Sequence, residues 1–252
     1  MSDPAPRSKA HLARKEIEEI TQARLTFGAR GRAVATRSAL QFSLDYAQAR
    51  AAVEAALDVE SCTSVCQAAG RAVFPVTSAA ATRETFVKRP DLGRVLPEEA
   101  AQSLSAHGPC DVALVLGDGL SAIAANLNGP AFLLALAAKL EARGLALSPI
   151  ILAEQARVAL GDGIARALGA RTVVVALGER PGLSAADSLG VYITQDPKPD
   201  TRDSARNCIS NIRDAGLSVH DAALQADRLI QAMWSRGVSG VALSQALALG
   251  KD

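Results

Sequence analysis

Three short apolar runs constrain this chain more than anything else in it: Cys110 to Leu116 (CDVALVL), Leu147 to Ala153 (LSPIILA) and Arg171 to Leu177 (RTVVVAL). Each reads as a buried strand that stops at a turn. Between the first two, Gly129 to Arg143 has the pattern of a helix ending at Gly144. Between the second and third, Gly161 to Leu168 reads as a short helix closed by Gly169, a good C-cap. Strand and helix alternating at such intervals specify an α/β fold, a Rossmann-like parallel sheet with helices on both faces. A further strand is expected over Leu189 to Thr194, a helix over residues 219–235, and a last helix from Gly240 to Leu249.

Ahead of Pro109 the pattern is helical and then irregular. Lys9 to Phe27 reads as a helix, broken by the Gly28–Arg32 turn; Thr36 is a plausible N-cap for a second that runs without Gly or Pro to Leu57. Residues 60–70 suggest a shorter helix, and an irregular section follows Gly70, with apolar stretches around Val73 to Val76 and at Phe86-Val87. Pro90 pushes Arg89 out of helical geometry, which leaves Asp91 to cap a helix from Leu92 to about Ala106. The expected division is therefore a helical segment and irregular arm over residues 1–108, then a Rossmann-like domain over 109–252.

Composition removes several functions. With 49% hydrophobic residues in 252, the chain can bury a real core. A formal net charge of +1 offers no electrostatic case for nucleic acid or an anionic membrane, and 3% aromatic residues offer few stacking platforms. The four cysteines (Cys62, Cys66, Cys110, Cys208) form no C-x-x-C pair and no zinc-like cluster with the three histidines, so reduced thiols in a cytosolic protein and no metal site are expected. The N-terminus lacks an apolar signal region, and no apolar run is read as a membrane span, since Lys139, Glu141 and Arg143 interrupt the segment from Ala131 to Leu147.

No catalytic residue emerges. His11, His107 and His220 lie far apart, each most easily a surface or cap residue, and no nucleophile has a base near it in sequence. Cys110 begins a buried strand and reads as a small core residue. Cys208 sits in a polar stretch, N-C-I-S-N, read as a loop. What stands out is a set of loops at strand ends: Gly117 to Ser121 (GDGLS), Glu154 to Val158, Gly178 to Gly182 (GERPG) and Asn207 to Asn211. In open α/β sheets ligands gather at such carboxyl ends. These loops carry carboxylates, carbonyls and few basic residues, which suits a large polar cofactor rich in amide and hydroxyl donors. Glycines around Asp118 have the layout of a phosphate or ribose loop, but no G-x-G-x-x-G is present. A free-standing nucleotide-binding enzyme and a non-catalytic scaffold module both stay open on the residues alone.

Taken in order, Lys88-Arg89-Pro90-Asp91-Leu92-Gly93-Arg94, Gly117-Asp118-Gly119-Leu120-Ser121, Gly178-Glu179-Arg180-Pro181-Gly182-Leu183 and Cys208-Ile209-Ser210-Asn211-Ile212 resemble the small (light) subunits of ethanolamine ammonia-lyase. The likeness runs from about Gln22 to about Ala232. It implies an adenosylcobalamin-dependent ammonia-lyase that converts ethanolamine to acetaldehyde and ammonia by a radical rearrangement. It also implies a hetero-oligomer whose large TIM-barrel subunit binds the substrate, with the cofactor between the subunits. Carried over residue by residue, the family's cofactor contacts fall on Val158, Glu179 and Cys208. A cytoplasmic location follows; packaging in a bacterial microcompartment, associated with a longer N-terminal extension in some relatives, is left open by the short segment before Lys9.

Overall fold

The computed structural model describes residues 36–179, 181–182 and 185–249. The expected helix from Lys9 to Phe27 and the Gly28–Arg32 turn lie outside them. The chain divides into two compact units at Ala47/Gln48. Of the first, the described part is the opening of helix α1 (Thr36–Glu54), where Gln41 donates to Asp45 (2.7 Å) and Phe42 stacks on Tyr46.

The second unit is a layered α/β structure. Its elements after α1 are α2 (Val59–Ala68), β1 (Val73–Thr77), α3 (Arg83–Lys88), a 3-10 turn (Leu92–Arg94), α4 (Glu98–Ser105) and β2 (Val112–Gly117). Then come α5 (Ala122–Ala142), β3 (Leu147–Glu154), α6 (Leu160–Ala167), β4 (Thr172–Gly178) and β5 (Leu189–Gln195). A second 3-10 turn (Asp203–Ala205), β6 (Asn207–Ile212), α7 (Val219–Arg236) and α8 (Val241–Leu249) complete it.

The six strands form one sheet in the order β1-β3-β2-β4-β5-β6. The first four run parallel, as the helical crossovers require. The last two do not: β5 is antiparallel to β4, and β6 to β5, so the sheet is mixed. The reason is local, because the described residues between β4 and β5 form no helix, and a chain that turns straight back pairs antiparallel. The section after Gly70, read as irregular, supplies the edge strand β1, paired with β3 from Val73↔Ile150 to Thr77↔Glu154.

Side chains alternate across this sheet. Leu114 and Leu116, Ile150 and Leu152, Val174 and Ala176, Val191 and Ile193 enter one core under α2, α5, α7 and α8. Ala113 and Val115, Ile151 and Ala153, Val173 and Val175 enter the other, under α4 and α6. Pro149 sits inside β3, where a missing N–H would normally break the ladder. The β2–β3 register shifts there, and Leu114 N–H donates instead to the Ser148 hydroxyl (3.0 Å).

Two helix boundaries differ from expectation. Helix α5 begins at Ala122 rather than Gly129, because the Ser121 hydroxyl accepts the Ala124 amide (3.2 Å) and Ala122, Ala124 and Ala125 are buried on the sheet. Burial overrides the Gly129-Pro130 break signal. At 21 residues, α5 is long and apolar enough to cross a membrane by length and composition alone, contrary to the reading of interrupted segments; half of its most apolar stretch is buried inside the protein. The expected helix from Leu92 splits into a 3-10 turn, which ends at Arg94 with Val95 extended, and α4, which starts after Pro97. Asp91 makes no cap bond and pairs with Arg89 instead (2.6 Å).

One buried carboxylate joins the strand-end loops. Asp118, fully buried after β2, accepts the amides of Gln155 (2.8 Å) and Ala156 (2.8 Å) from the loop after β3. Arg83 of α3 reaches it as well (3.2 Å) and donates its Nε–H to the Val53 carbonyl at the end of α1 (2.6 Å). Burial pushes the Asp118 carboxyl above its ordinary value, against the pull of the Ala156 amide and Arg83. Replacing Asp118 with Ala leaves two amides and a guanidinium without their acceptor. Asp118→Ala is expected to cost about 3 kcal/mol, read as a lower urea midpoint at unchanged slope; a loss below about 1 kcal/mol would show that water replaces the carboxylate.

Candidate functional site

The helices on the second face, α4 and α6, stop at β4. Those that pack on β5 and β6 are α5 and α7, from the first face. Beyond β4 no helix of the described residues covers the second face, and a cleft of about 580 Å³ lies there, running over the carboxyl ends of β2 and β4. Its lining includes Val158, Glu179 and Cys208, brought together from the loop after β3, the end of β4 and the edge strand β6. Leu120, Ala159, Leu177 and Tyr192 add an apolar floor.

Glu179 is half-buried and held at two points. The Ser188 hydroxyl donates to its Oε2 (2.8 Å), and its own amide donates to the Ser188 carbonyl (3.0 Å). Gly190 on β5 makes the space, since a Cβ there would run into the Glu179 carboxylate. Val158 closes the first turn of α6, its carbonyl accepting the Gly161 amide (3.1 Å). Cys208 was expected in a loop; it lies on β6 directly opposite Tyr192 on β5, and its side chain is exposed. Alternation explains this at Ile209, which turns into the core; Ile212 reaches the same core because the β5–β6 register shifts between Leu189 and Val191, where Asn211 holds a positive φ of 60°.

The start of β6 is fixed by Arg206. Its buried guanidinium makes a bidentate pair with Asp162 in the first turn of α6 (2.7 Å to each oxygen) and also donates to the Thr194 hydroxyl (3.1 Å). Burial works against that charge, but the bonds to Asp162 outweigh it and raise the Arg206 pKa.

The Gly-Asp-Gly loop has an internal task. Gly119 holds a positive φ of 56°, and a Cβ there would overlap the Gly178 carbonyl, which accepts the Leu120 amide (3.0 Å). The loops after β2 and β4 thus touch backbone to backbone. With Asp118 buried and committed, this turn presents only Gly119 and Leu120 to the cleft. The rim is also more basic than the sequence implies, because Arg94, Arg157 and Arg206 all reach it. Among the described residues no group of three or more His, Cys, Asp or Glu comes together to hold a metal ion. His107 packs edge-on against Phe74, and His220 is exposed at the start of α7.

Residues 12–244 match the family of ethanolamine ammonia-lyase light chains. The chain is 45% identical to the ethanolamine ammonia-lyase small subunit of Bradyrhizobium diazoefficiens over 246 residues, 96% of this chain and 93% of that one. It is 43% identical to the small subunit of Pseudomonas fluorescens SBW25, over 90% of this chain and 84% of the relative. A third small subunit, from Rhodopseudomonas palustris, is 43% identical over 96% and 93%. The chain belongs to the ethanolamine ammonia-lyase small-subunit family.

The four stretches that carry the family resemblance now divide by physical role. Gly117–Ser121 ties strand ends together, and Gly178–Leu183 delivers Glu179, with Arg180 and Leu183 outside the described residues. Cys208–Ile212 is the edge strand, and Lys88–Arg94 brings Arg94 to the cleft. Sequence reasoning missed Tyr192, Asp203 and Arg206 as lining. Tyr192 reads as one more core residue of a strand, and only the β5–β6 register sets it beside Cys208; Arg206 had a faint signal, two residues before that cysteine.

The thiols differ in ways that chemistry can read. Cys62 and Cys66 are buried, Cys110 is half-buried, and burial pushes Cys62 and Cys110 to about 11. At Cys208 burial raises the pKa, the negative charge of Glu179 raises it further, and a hydrogen bond with Tyr192 opposes both. A raised thiol pKa keeps the unreactive protonated form to higher pH. Cys208 is expected to be the first cysteine alkylated by iodoacetamide, with a rate–pH midpoint above that of a free cysteine. Glu179→Gln should lower that midpoint. Mass-spectrometric rates across pH check both statements, and an unchanged midpoint in the variant would separate the two groups electrostatically.

Proposed function

We propose that this chain is the cobalamin-binding small subunit of an adenosylcobalamin-dependent ethanolamine ammonia-lyase, working with a larger partner subunit in a hetero-oligomer. The observation that supports it is the convergence of Val158, Glu179 and Cys208 on one half-open cleft at the strand ends. The cleft suits the group. A corrin is broad, mostly apolar on its faces and edged with amides, so it needs an open apolar floor with a few acceptors at the rim. A volume of about 580 Å³, open to one side, holds part of so large a group and leaves the rest to a second chain.

In this reading Glu179 accepts from peripheral amide N–H groups, and Leu120, Val158 and Tyr192 support the ring. When bound, adenosylcobalamin supplies the radical chemistry that turns ethanolamine into acetaldehyde and ammonia. This chain's residues orient the cofactor and, with the partner closed over them, exclude water and stray hydrogen donors from it. Ethanolamine itself is bound by the partner, a TIM barrel in this reading. The nucleotide-enzyme alternative loses its motive, because the Gly-Asp-Gly loop is occupied in holding β2 to the loops after β3 and β4.

Assembly with the large subunit and adenosylcobalamin should restore ethanolamine-dependent acetaldehyde release and a visible corrinoid spectrum that survives gel filtration. Glu179→Ala is expected to weaken cofactor binding by about 1 to 3 kcal/mol in equilibrium dialysis of the complex. Unchanged affinity in that variant would remove Glu179 from the site.

A further inference from the structure

Glu179 is joined in the lining of the cleft by a second carboxylate, Asp203. It opens the second 3-10 turn, just ahead of β6, and its side chain is 86% exposed. Its Oδ1 accepts the Arg206 Nε–H (3.3 Å), and its carbonyl accepts the Arg206 amide (3.1 Å). Its Oδ2 accepts no hydrogen bond among the described residues. An exposed carboxylate on a slack loop would carry little energy, but this turn is held from several sides. The Ser239 hydroxyl donates to the Ala205 carbonyl (2.6 Å), the Gly240 amide donates to the Asn207 side chain (2.6 Å), and Arg206 grips Asp162 with both terminal nitrogens. A Cβ at Gly240 would overlap the Ser204 carbonyl, so the residue before α8 sits directly against the turn. Asp203 therefore meets the cleft from a fixed backbone.

Asp162 decides the charge on this side. It already matches the buried Arg206 guanidinium, so the Asp203 carboxylate is left as surplus negative charge, with Glu179 as a second. Arg94 and Arg157 reach the cleft on other elements, the turn after α3 and the loop after β3. Both carboxylates act on Tyr192 in the floor: burial raises the phenol pKa most, and Cys208, Glu179 and Asp203 add to it. A group lying over Tyr192 thus meets negative charge from the end of β4 and from the turn before β6. An amide N–H placed there finds acceptors. A carboxylate in the same place has no proton to give and is repelled.

Resting on the reading of the cleft as a cobalamin site, we propose that Asp203 is a specificity-determining residue, whose carboxylate receives an amide N–H of the corrin edge and turns away corrinoids that carry a carboxylate there. The edge of a finished corrin bears neutral amides, and an incompletely amidated one differs from it by a single charge in nearly the same shape. Packing cannot tell the two apart, because an amide and a carboxylate fill the same space. Fixed negative charge can, and closing the partner over the cleft removes the water that would screen it.

The test uses the assembled complex with the large subunit and four corrinoids at neutral pH: adenosylcobalamin and its three monocarboxylic acids, in each of which one edge propionamide is hydrolysed to propionate. In the wild type at least one acid is expected to bind about tenfold or more weakly than adenosylcobalamin. Asp203→Asn, which keeps an acceptor oxygen and loses the charge, should bring that acid's Kd to within about threefold of the adenosylcobalamin value. Asp203→Ala loses both and should also raise the adenosylcobalamin Kd about fivefold. Acid-to-amide ratios that Asp203→Asn leaves unchanged overturn the proposal. So does equal weakening of all four corrinoids, the mark of a residue that only shapes the turn. A wild-type complex that binds all three acids as tightly as adenosylcobalamin also overturns it, with the cobalamin reading intact. One that binds none of the four removes the cobalamin reading itself, and the discrimination with it.

Discussion

Asp118 is the interaction on which the rest of this structure depends. A parallel sheet delivers its strand ends to one rim, but the loops that leave them would be free to splay without a tie across the rim. The Asp118 carboxylate is that tie. It accepts two amides from the loop after β3 and a guanidinium from α3, and Arg83 passes the connection on to the end of α1. One consequence is visible in the backbone. Gln155 holds a positive φ of 54°, uncommon for a residue with a side chain, and its amide is one of the two bound by Asp118. A carboxylate fully removed from water is costly, and it persists because its oxygens are satisfied by fixed donors.

The second constraint is the change of strand direction after β4. Had the chain crossed over through another helix, that helix would have covered the second face beyond α6. Instead β5 and β6 return as a hairpin-like pair, α7 and α8 pack on the first face, and no helix of the described residues covers the second face there. The cleft is the part of the sheet that the helix layer does not reach. Its borders are then made rigid by charge: the Arg206–Asp162 pair fixes β6 to α6, and Ser188 with Gly190 fixes Glu179. Both are polar contacts in a partly closed place, where a paired group is held strongly and an unpaired one is penalised.

Much of this was legible in the chain. The apolar runs at Cys110–Leu116, Leu147–Ala153 and Arg171–Leu177 became β2, β3 and β4 within a residue or two, because a run of β-branched and aliphatic residues bounded by turns has few other places to go. The α/β layering followed from their alternation with helices. Val73–Thr77 was not legible as a strand: it contains a proline, is only partly buried, and acquires its structure by pairing with β3 far along the chain. Likewise α5 starts seven residues before Gly129-Pro130 would allow on propensity, because Ser121 caps it and the sheet buries its first turn.

By itself the sequence determined the layers, the location of the loops at strand ends, and through four ordered motifs the family to which the chain belongs. Those are local or patterned properties, carried by periodicity, turn residues and spacing. Only the tertiary structure decided what the loops do. It turned Asp118 inward as a tie rather than outward as a ligand group, set Tyr192 opposite Cys208 through the β5–β6 register, and carried Arg94 and Arg157 to the same wall. Each of these depends on contacts between residues separated along the chain by a turn or by whole elements, where the deciding energies are burial, strand pairing and the pairing of charges, and no local pattern names both partners.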